Sequence, residues 1–312
     1  MLAVLVKRTI QAGLSALAAT IIVWLILPLA PGDPANRIFI ARGIDDATEG
    51  QLAALRQEMG LNLPLPQQFL RWFTDLMHGD LGLSFTTGRP VLQDFLGHLP
   101  PTLMMLGLAL LLSTLATILL SLLAVMYHNR WPDKVIALYT EITAALPTFV
   151  FALLALNYVV VGWQFGRVIA DVSWTAALMP AFIIGLDRAG GWIQLLRASL
   201  LAEMADSYAF VAKSRGASDI RILLRHALPN SLKPLLSAIG LSVGALLGGA
   251  PLIEAIFSWP GVGSYLLSAL TARDYPVIQA YVLIAALGYV VAAFLVDVAI
   301  AMLDPRLREV RT

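Results

Sequence analysis

The sequence contains no cysteine and few charged residues, and both shortages restrict what the chain can do. Without cysteine there is no disulfide framework, no thiolate nucleophile and no cysteine-ligated metal site. Charged residues make up 13% of the 312 positions, whereas 59% are hydrophobic. Soluble domains carry about 25% charged residues. The net charge of +1 gives no indication of nucleic-acid binding. Composition therefore predicts an integral membrane protein.

Motifs for catalysis and nucleotide binding are also missing. The sequence has no G-x-x-x-x-G-K-[S/T] phosphate-binding loop, so ATP is not bound in that way. No catalytic triad or pair of carboxylates stands out either. We therefore expect a chain that is not an enzyme and binds no cofactor itself.

Six apolar stretches are long enough to cross a hydrocarbon core of about 30 Å, which takes about 20 helical residues. They lie at 9–30, 101–127, 135–161, 175–198, 233–256 and 277–303. The first is longer than the roughly 7–15 residues of a signal-peptide core, so we interpret it as an uncleaved span. The runs are continuous, and backbone groups in lipid must be satisfied within their own segment, which favours helices. The prediction is an all-α integral membrane protein with six transmembrane helices.

Basic residues indicate how these spans are oriented. An even number of spans places both termini on one side, where the following basic residues also fall: Lys7, Arg8, Arg130, Lys134, Arg306, Arg308, Arg311 and five within 202–234. By the positive-inside rule we expect that side, and both termini, to be cytoplasmic. The chain then divides into an N-terminal transmembrane helix (1–30), a periplasmic cap segment with short amphipathic helices (31–100), a transmembrane core (101–303) and a cytoplasmic tail (304–312).

The cap segment contains two predicted helices. The first covers 45–59 and ends at Gly60, and the second covers 67–77. Pro64 and Pro66 are expected to break the chain between them. The remainder, 79–90, is rich in turn residues. The cap is thus a small extension of the membrane protein and not an independent domain.

A polar island at 202–234 interrupts the apolar chain. It is predicted to form two short helices with a turn at Gly216, where Ser218 and Asp219 suit the start of the second helix. That helix has apolar residues at i, i+3, i+4 and i+7 spacing, namely Ile220, Leu223, Leu224 and Ala227. Pro229 is expected to end it. The island has two interpretations. It is either an amphipathic loop lying on the membrane or a rigid connection through which a soluble partner moves the spans.

The island also resembles the coupling loop of bacterial ABC-importer permeases. Gly216 is followed thirteen residues later by Pro229, within the sequence HALPN at 226–230. The acidic-Ala-Ala opening of that family would fall at 210–212, where only Ala212 matches, a departure usual in its peptide/nickel branch. Further blocks of that branch lie at 32–34 (GDP), 60–61 (GL), 257–263 (FSWPGVG), 273–276 (RDYP) and 303–306 (LDPR). The positions that the resemblance assigns to ATPase coupling are Ala212, Gly216, Ala217, Ser218, Asp219, His226, Leu228 and Pro229.

The resemblance implies a type I ABC importer permease in the bacterial inner membrane. It implies a heterodimer with a second, homologous permease, two ABC ATPase subunits that use ATP and Mg, and a periplasmic substrate-binding protein. The ATPases are expected to dock at 202–234, and the cap to help seat the binding protein. The short outer loop 162–175 and the total length resemble the nickel members, so nickel or metal chelates are the favoured cargo. Dipeptides or oligopeptides are the alternative within the same family.

Four charged residues lie well inside predicted spans, away from the span ends: Glu141, Asp187, Arg188 and Asp297. Each costs roughly 2.5–3.5 kcal/mol on insertion scales, so each is expected to face a cavity or a partner. Asp187 and Arg188 point about 100° apart on a helix, so we expect them to pair poorly with each other. One of them would instead pair with Glu141 or Asp297. Ion pairs that fix the bundle are one interpretation; the other is that Asp187 or Glu141 lines the passage and meets a cationic cargo.

Three further features have open interpretations. Gly240, Gly244 and Gly248 allow close helix approach, either within one subunit or against the partner permease. Glu254 and the block at 257–263 are interpreted as a scaffold or outer gate, with Trp259 suited to the membrane interface. His78 and His98, with methionines nearby in sequence, could contact a transition metal, or they are ordinary surface histidines, since their spacing matches no closed metal site.

Two other functional classes remain possible from the residues alone. An ion-coupled carrier or channel would use the intramembrane charges and transport without an ATPase. An intramembrane enzyme would need reactive groups converging at one depth, and no recognised arrangement is present. Neither class explains the ordered family blocks.

Overall fold

The computed structural model describes residues 2–29, 31–41, 43–44, 46–163 and 172–303. In these ranges the regular structure is helical, and the only β-pairing is a single bridge between Leu83 and Pro90. The predicted tail 304–312 and most of the outer loop 162–175 lie outside the described residues. The α-helices are α1 (Leu2–Trp24), α2 (Ile26–Leu29), α3 (Pro34–Ala41), α4 (Glu49–Glu58), α5 (Leu65–Met77), α6 (Val91–Met126), α7 (Trp131–Ala145), α8 (Thr148–Leu154), α9 (Trp174–Met204), α10 (Ser207–Ser214), α11 (Asp219–Ile222), α12 (Leu228–Ile256), α13 (Val262–Ala272) and α14 (Tyr275–Leu303), with π-helical segments at Ala155–Gly162 and Leu223–Ala227.

Three of the described helices can each cross a bilayer alone by length and composition: Arg8–Leu29, α6 and Tyr275–Val296 of α14. The number rises to five when two bent helix pairs each count as one span. The remaining predicted span corresponds to α9, whose 31 residues extend about 46 Å. Asp187 and Arg188 make the middle of α9 less apolar than the other candidates, but its length exceeds that of a hydrocarbon core.

Proline divides the third predicted span. The stretch 135–161 was expected to be one helix, but α7 ends at Ala145 and α8 begins at Thr148, with a bend of 103° between the two parts. Leu146 is extended (φ −108°, ψ 132°) because it precedes Pro147, which disfavours the helical conformation at that position. This bend opens space between α7, α8 and α9.

The centre of the bundle is the contact between α6 and α9. Met105, Ala109, Ala181 and Ile184 are buried together there, and residues of α12 complete the same apolar cluster. Gly185 permits the close approach, since a Cβ at that position would lie 3.2 Å from the carbonyl oxygen of Ala109. On the other side of the bundle, α14 packs against both α1 and α12.

The cap helices begin where their capping residues dictate. The helix predicted at 45–59 is α4, which is shorter because Thr48 caps it and forms a reciprocal capping box with Gln51. The second cap helix, α5, starts at Leu65 with Pro66 in its first turn. Pro66 therefore initiates this helix instead of breaking the chain, because first-turn amides need no helical partner.

Two carboxylates hold the cap in place by hydrogen bonds, one within the cap and one between the cap and the bundle. Asp33 accepts two hydrogen bonds from Arg56, at 2.7 and 3.0 Å, which joins the start of α3 to α4. Asp274, at the junction of α13 and α14, accepts from the Ser84 hydroxyl at 2.6 Å and the Phe85 amide at 3.0 Å. Because Asp274 is buried, these bonds fix the turn after α5 onto the bundle.

Candidate coupling and translocation sites

The loop at 202–234 contains the predicted helix–turn–helix. Gly216 turns the chain between α10 and α11 with φ of +86°, a left-handed conformation that residues with side chains rarely adopt. The amide of Ala217 donates to the Ala212 carbonyl at 3.1 Å, which satisfies the end of α10. Ser218 caps α11, because its side chain accepts from the Arg221 amide at 3.4 Å.

The prediction that Pro229 ends the second helix is wrong. After α11 the chain passes through the π-helical segment Leu223–Ala227, and α12 starts at Leu228 with Pro229 in its first turn. In a π-helix each amide bonds to the carbonyl five residues earlier, here Leu228 to Leu223. Pro229, which has no amide hydrogen, follows this segment directly, and the local change in hydrogen-bond spacing accommodates it within a continuous helix. The loop is therefore continuous with a membrane-spanning helix.

The predicted apolar face of the second helix is divided between two environments. Leu223 and Ala227 are buried in a cluster that includes Leu196 and Leu200 of α9. Ile220 and Leu224 are instead 53% and 48% exposed. Half of the pattern thus anchors the loop and half remains available to a partner.

Four large apolar side chains of the loop are exposed, and we call them together the coupling surface: Phe210, Val211, Ile220 and Leu224. Phe210 is 77% exposed, which is unusual for a side chain of that size in an otherwise charged loop. A groove of about 610 Å³ lies beside it, bordered by Phe210, Ile220 and Met126 at the end of α6. Of the other predicted coupling positions, Asp219 forms an exposed ion pair with Lys213 at 2.8 Å, and Pro229 and His226 are exposed.

Glu203 joins the loop to both flanking helices, a role that no local sequence pattern indicates. Its carboxylate, at the end of α9, accepts from the Tyr208 hydroxyl at 2.6 Å and from the Asn230 amide group at 3.1 Å. Burial raises the pKa of Tyr208 to about 12, and the hydrogen bond to Glu203 adds to the shift. Tyr208 is therefore a donor at any physiological pH. The His226 ring lies 6.2 Å from the Tyr208 ring.

A second link on the same side connects α7 with α9. Arg197 donates two hydrogen bonds of 2.7 Å to the two carboxylate oxygens of Asp133, which also accepts from the Asn129 amide at 2.9 Å. His128 lies 3.3 Å from the same carboxylate. Sequence reasoning treated Arg197 as part of an apolar span, because its partner is 64 residues away and no local spacing indicates the pair.

The intramembrane charges are arranged differently from the expectation. Arg188 Nε approaches the Asp187 carboxylate to 3.7 Å, a contact between neighbours but too long for a hydrogen bond. The same Arg188 nitrogen is buried and has no hydrogen-bond partner among the described residues. Glu141 is exposed, and within the described part of the chain it forms no ion pair with either residue. The side chain of Asp297 lies outside what the structure describes.

Asp187 lines a half-open cavity of about 870 Å³ bordered by α6, α7, α8, the following π-helical segment and α9. Its wall is mostly apolar, with Leu112, Phe151 and Phe182 among the lining side chains. Among the described residues, Asp187 is the only charged side chain in that lining. The cavity exists because of the bend at Pro147, which turns α8 away from α7.

The three glycines of α12 differ in their surroundings. A Cβ at Gly240 would lie 1.8 Å from Val296 Cγ2, and one at Gly244 would lie 2.3 Å from Tyr289 Cδ2, both on α14 of the same chain. A Cβ at Gly248 would meet nothing within 4 Å. Gly240 and Gly244 therefore permit packing within the subunit, and Gly248 has open space beside it.

Glu254 lies at the centre of the block at 257–263. It is fully buried and accepts from the Thr102 hydroxyl at 2.5 Å and the Ser264 amide at 2.9 Å. Trp259 was expected at the membrane interface, but it is fully buried and donates from its ring nitrogen to the Pro101 carbonyl at 3.0 Å. The hydrogen bond explains the burial, because an indole N–H inside a protein needs an acceptor. The block thus packs on α6.

The two outer histidines are each engaged with their own helix. His78 Nδ1 lies 2.8 Å from the Thr74 carbonyl, and His98 Nδ1 lies 2.7 Å from the Asp94 carbonyl. The His98 ring also stacks on Tyr265 at 4.8 Å. Among the described residues, no group of three or more histidines and carboxylates could hold a metal ion.

Comparison with known proteins identifies the family. Residues 114–309 match the family described as the binding-protein-dependent transport system inner membrane component, and residues 1–106 match its N-terminal companion. The chain is 32% identical over 308 residues to the glutathione transport system permease protein GsiC of Salmonella typhimurium, with 99% of both chains covered. The proteins of the same name from Pectobacterium atrosepticum and Escherichia coli K12 are 32% and 31% identical over 310 residues, also with 99% of both chains covered.

Members of this family are transport subunits and not enzymes, and partner ATPases use the ATP. The family match, the helical bundle and the helix–turn–helix between α9 and α12 agree with one another. The chain belongs to the binding-protein-dependent inner-membrane permeases of ABC importers.

Proposed function

We propose that this permease forms half of the translocation pathway of an importer for short peptides, with glutathione as the first cargo to test. The proposed cargo is supported by the similarity to glutathione permeases along 99% of both chains. Nickel or a metal chelate, the cargo favoured from sequence, has less support. His78 and His98 each bind a carbonyl of their own helix, and Asp187 is the single charged group that the described residues contribute to its cavity.

The ATPase would dock on the coupling surface. Four exposed apolar side chains next to a groove, on a loop that otherwise carries charge, are suited to burial against a soluble protein. ATP-driven closure of two ATPases would bring the loops of the two permeases together. Because the loop continues into α12 without a break, that movement reaches the membrane-spanning part directly. The chain thus acts mechanically.

The remaining assembly follows from the same proposal. Both termini and the loop at 202–234 lie in the cytoplasm, and the cap at 31–100 lies outside, where it helps seat the binding protein. The partner permease forms the second half of a heterodimer around the pathway. Gly248, with open space beside it, is the glycine of α12 best placed for that contact.

The test is ATP-dependent uptake by the complete importer in proteoliposomes. The complex of both permeases and both ATPases is supplied with its binding protein and with glutathione, a dipeptide, nickel and a nickel chelate in parallel. Uptake of glutathione or of the dipeptide that requires ATP supports the proposal. Uptake of nickel or its chelate alone contradicts the peptide cargo, and uptake without ATP contradicts the ATP-coupled mechanism.

A further inference from the structure

The cavity beside Asp187 has the size and lining of a ligand site. Its volume of about 870 Å³ falls within the roughly 300–1,000 Å³ typical of small-molecule pockets. Such pockets are mostly apolar, with a few polar groups that orient the ligand. The wall here follows that pattern, since its polar side chains are Asp187, Tyr139, Thr143 and Thr175.

Three of these four polar groups are already occupied. The Tyr139 hydroxyl donates to the Leu186 carbonyl, and the Thr143 hydroxyl donates to the Thr140 carbonyl at 3.1 Å. The Thr175 hydroxyl lies within hydrogen-bond distance of Ser173. Within the described part of the chain, no group donates a hydrogen bond to Asp187, and Arg188 Nε is too distant at 3.7 Å. Asp187 is therefore the acceptor that remains free.

Asp187 lies deep along α9, where a carboxylate with free hydrogen-bonding capacity is unusual. It lies thirteen residues after the first residue of α9, about 20 Å along a helix of 31 residues, and thus close to the middle of the membrane. A charged group at that depth is costly unless it faces a cavity or a partner. Arg188 compensates its charge at 3.7 Å but leaves its hydrogen-bonding capacity unused.

The surroundings also restrict the kind of cation that fits. Divalent metal ions require several oxygen or nitrogen ligands, and one carboxylate in an apolar wall does not supply them. A primary ammonium carried on an organic body needs one strong acceptor and apolar walls for the rest of the molecule. The wall of this cavity offers that combination, since Phe151 and Phe182 belong to the same lining as the carboxylate.

We propose that Asp187 accepts the ammonium group of the cargo inside this cavity and so determines which peptides pass. The inference rests on the proposed peptide cargo and adds the residue, the site and the recognised group. A charge-assisted hydrogen bond of about 2.7–2.9 Å would form on entry. Arg188 would keep the carboxylate compensated before the cargo arrives and after it leaves.

The first experiment compares two cargoes in the complete importer. S-methylglutathione carries the ammonium group, and its glutaryl analogue has hydrogen in place of that group. Asp187→Asn is expected to lower the uptake rate of S-methylglutathione at least tenfold and that of the glutaryl analogue less than twofold. Asp187→Glu should restore part of the lost rate. Glu141→Gln is the matched control, because Glu141 is a carboxylate in a candidate span that does not line the cavity.

ATP hydrolysis stimulated by the binding protein is measured on the same samples to establish that each variant assembles. An equal fall for both cargoes, or normal uptake of S-methylglutathione by Asp187→Asn, would overturn the inference. If the wild-type importer takes up nickel and neither peptide, the proposed cargo itself fails, and the ammonium site with it. Failure of the ammonium site alone therefore leaves peptide uptake intact in the wild type, whereas failure of the proposed cargo abolishes it.

A second experiment observes the cavity without requiring transport of the analogue. Because the chain has no cysteine, Leu178→Cys introduces a single thiol into the cavity wall, and Leu138→Cys places one at an exposed position outside it. S-methylglutathione is expected to slow thiol labelling at 178 at least threefold and not at 138, and Asp187→Asn should abolish the protection. Equal labelling at 178 with and without this cargo would place the ammonium elsewhere and overturn the inference.

Discussion

Arg197 and Asp133 form a bidentate ion pair, with both hydrogen bonds at 2.7 Å, that joins α9 to α7 near the loop at 202–234. The Asp133 side chain is only 5% exposed. Its charge is therefore compensated almost entirely by Arg197 and by the Asn129 amide. This pair fixes the base from which the loop extends.

Arg197→Ala should destabilise the protein by about 1–3 kcal/mol, because it leaves a buried carboxylate without its main partner. The expected readout is a lower midpoint of thermal unfolding in detergent. Lys213→Ala is the control, since Lys213 forms an exposed ion pair with Asp219 and such pairs contribute about 0–1 kcal/mol. Equal midpoints for the two variants would contradict this role for Arg197.

Tyr208→Phe removes only the hydroxyl that donates to Glu203, and we expect the loop to loosen by about 1 kcal/mol. Faster proteolysis within 202–234 is the measurement. The pKa of Tyr208 is raised to about 12 from an ordinary value of about 10. The stabilisation linked to this shift is fully present below about pH 10 and is lost as pH rises toward 12.

The proteolysis rate of the wild-type loop should accordingly contain no contribution from Tyr208 titration between pH 6 and 9. Tyr208→Phe should raise the rate by a constant factor over that range. A factor that changes with pH across it would show that the hydroxyl titrates well below 12.

Gly216→Ala should weaken coupling through backbone strain alone. Nothing lies within 4 Å of the position where its Cβ would be, so steric collision is absent. The φ of +86° costs a residue with a side chain about 1–2 kcal/mol. We expect fewer cargo molecules transported per ATP hydrolysed, and Gly216→Arg should show a larger loss of the same kind.

Gly191→Ala is the control for Gly216→Ala, because it adds the same methyl group without backbone strain. Gly191 also has open space around its Cβ position, but it lies within α9 with ordinary helical geometry. Alanine there should be neutral or slightly stabilising. If both alanine variants transported the same number of molecules per ATP as the wild type, the turn at Gly216 would have no special role.

Phe210→Ala should reduce the affinity of the permease for its ATPase subunits about tenfold or more. A large, 77% exposed aromatic side chain at the centre of a docking surface is a frequent energetic hot spot. Retention of the ATPase during purification at decreasing concentration measures the effect. Leu70→Ala removes a comparably exposed apolar side chain from the cap and should leave retention unchanged. Loss of retention in both variants would indicate a general effect on folding.

The sequence was sufficient to predict the helical class, the family, the cap helices and the turn at Gly216. These depend on composition, on local capping residues such as Thr48 and Ser218, and on blocks that lie close together in the chain. The division of the third span at Pro147 could also be predicted, because a residue before proline disfavours the helical conformation. The segments on both sides of Pro147 are apolar, so the whole stretch resembles one continuous span.

The remaining errors have tertiary causes. Whether Pro229 ends a helix depends on a π-helical segment before it, which no propensity indicates. The burial of Trp259 depends on an acceptor at Pro101, 158 residues away.

The continuity of the loop with α12 has a consequence for the whole subunit. Leu228 lies within the loop at 202–234, and Glu254 accepts a hydrogen bond from Thr102. Between these two residues α12 measures about 39 Å along its axis. The helical stretches Asp219–Ser242 and Gly244–Ile256 are inclined to each other by 53°. A displacement at one end must either change that angle or appear at the other end. Under the proposed coupling mechanism, α12 transmits a displacement from the loop at 202–234 toward Glu254, and the stiffness of the bend determines how much of that displacement arrives.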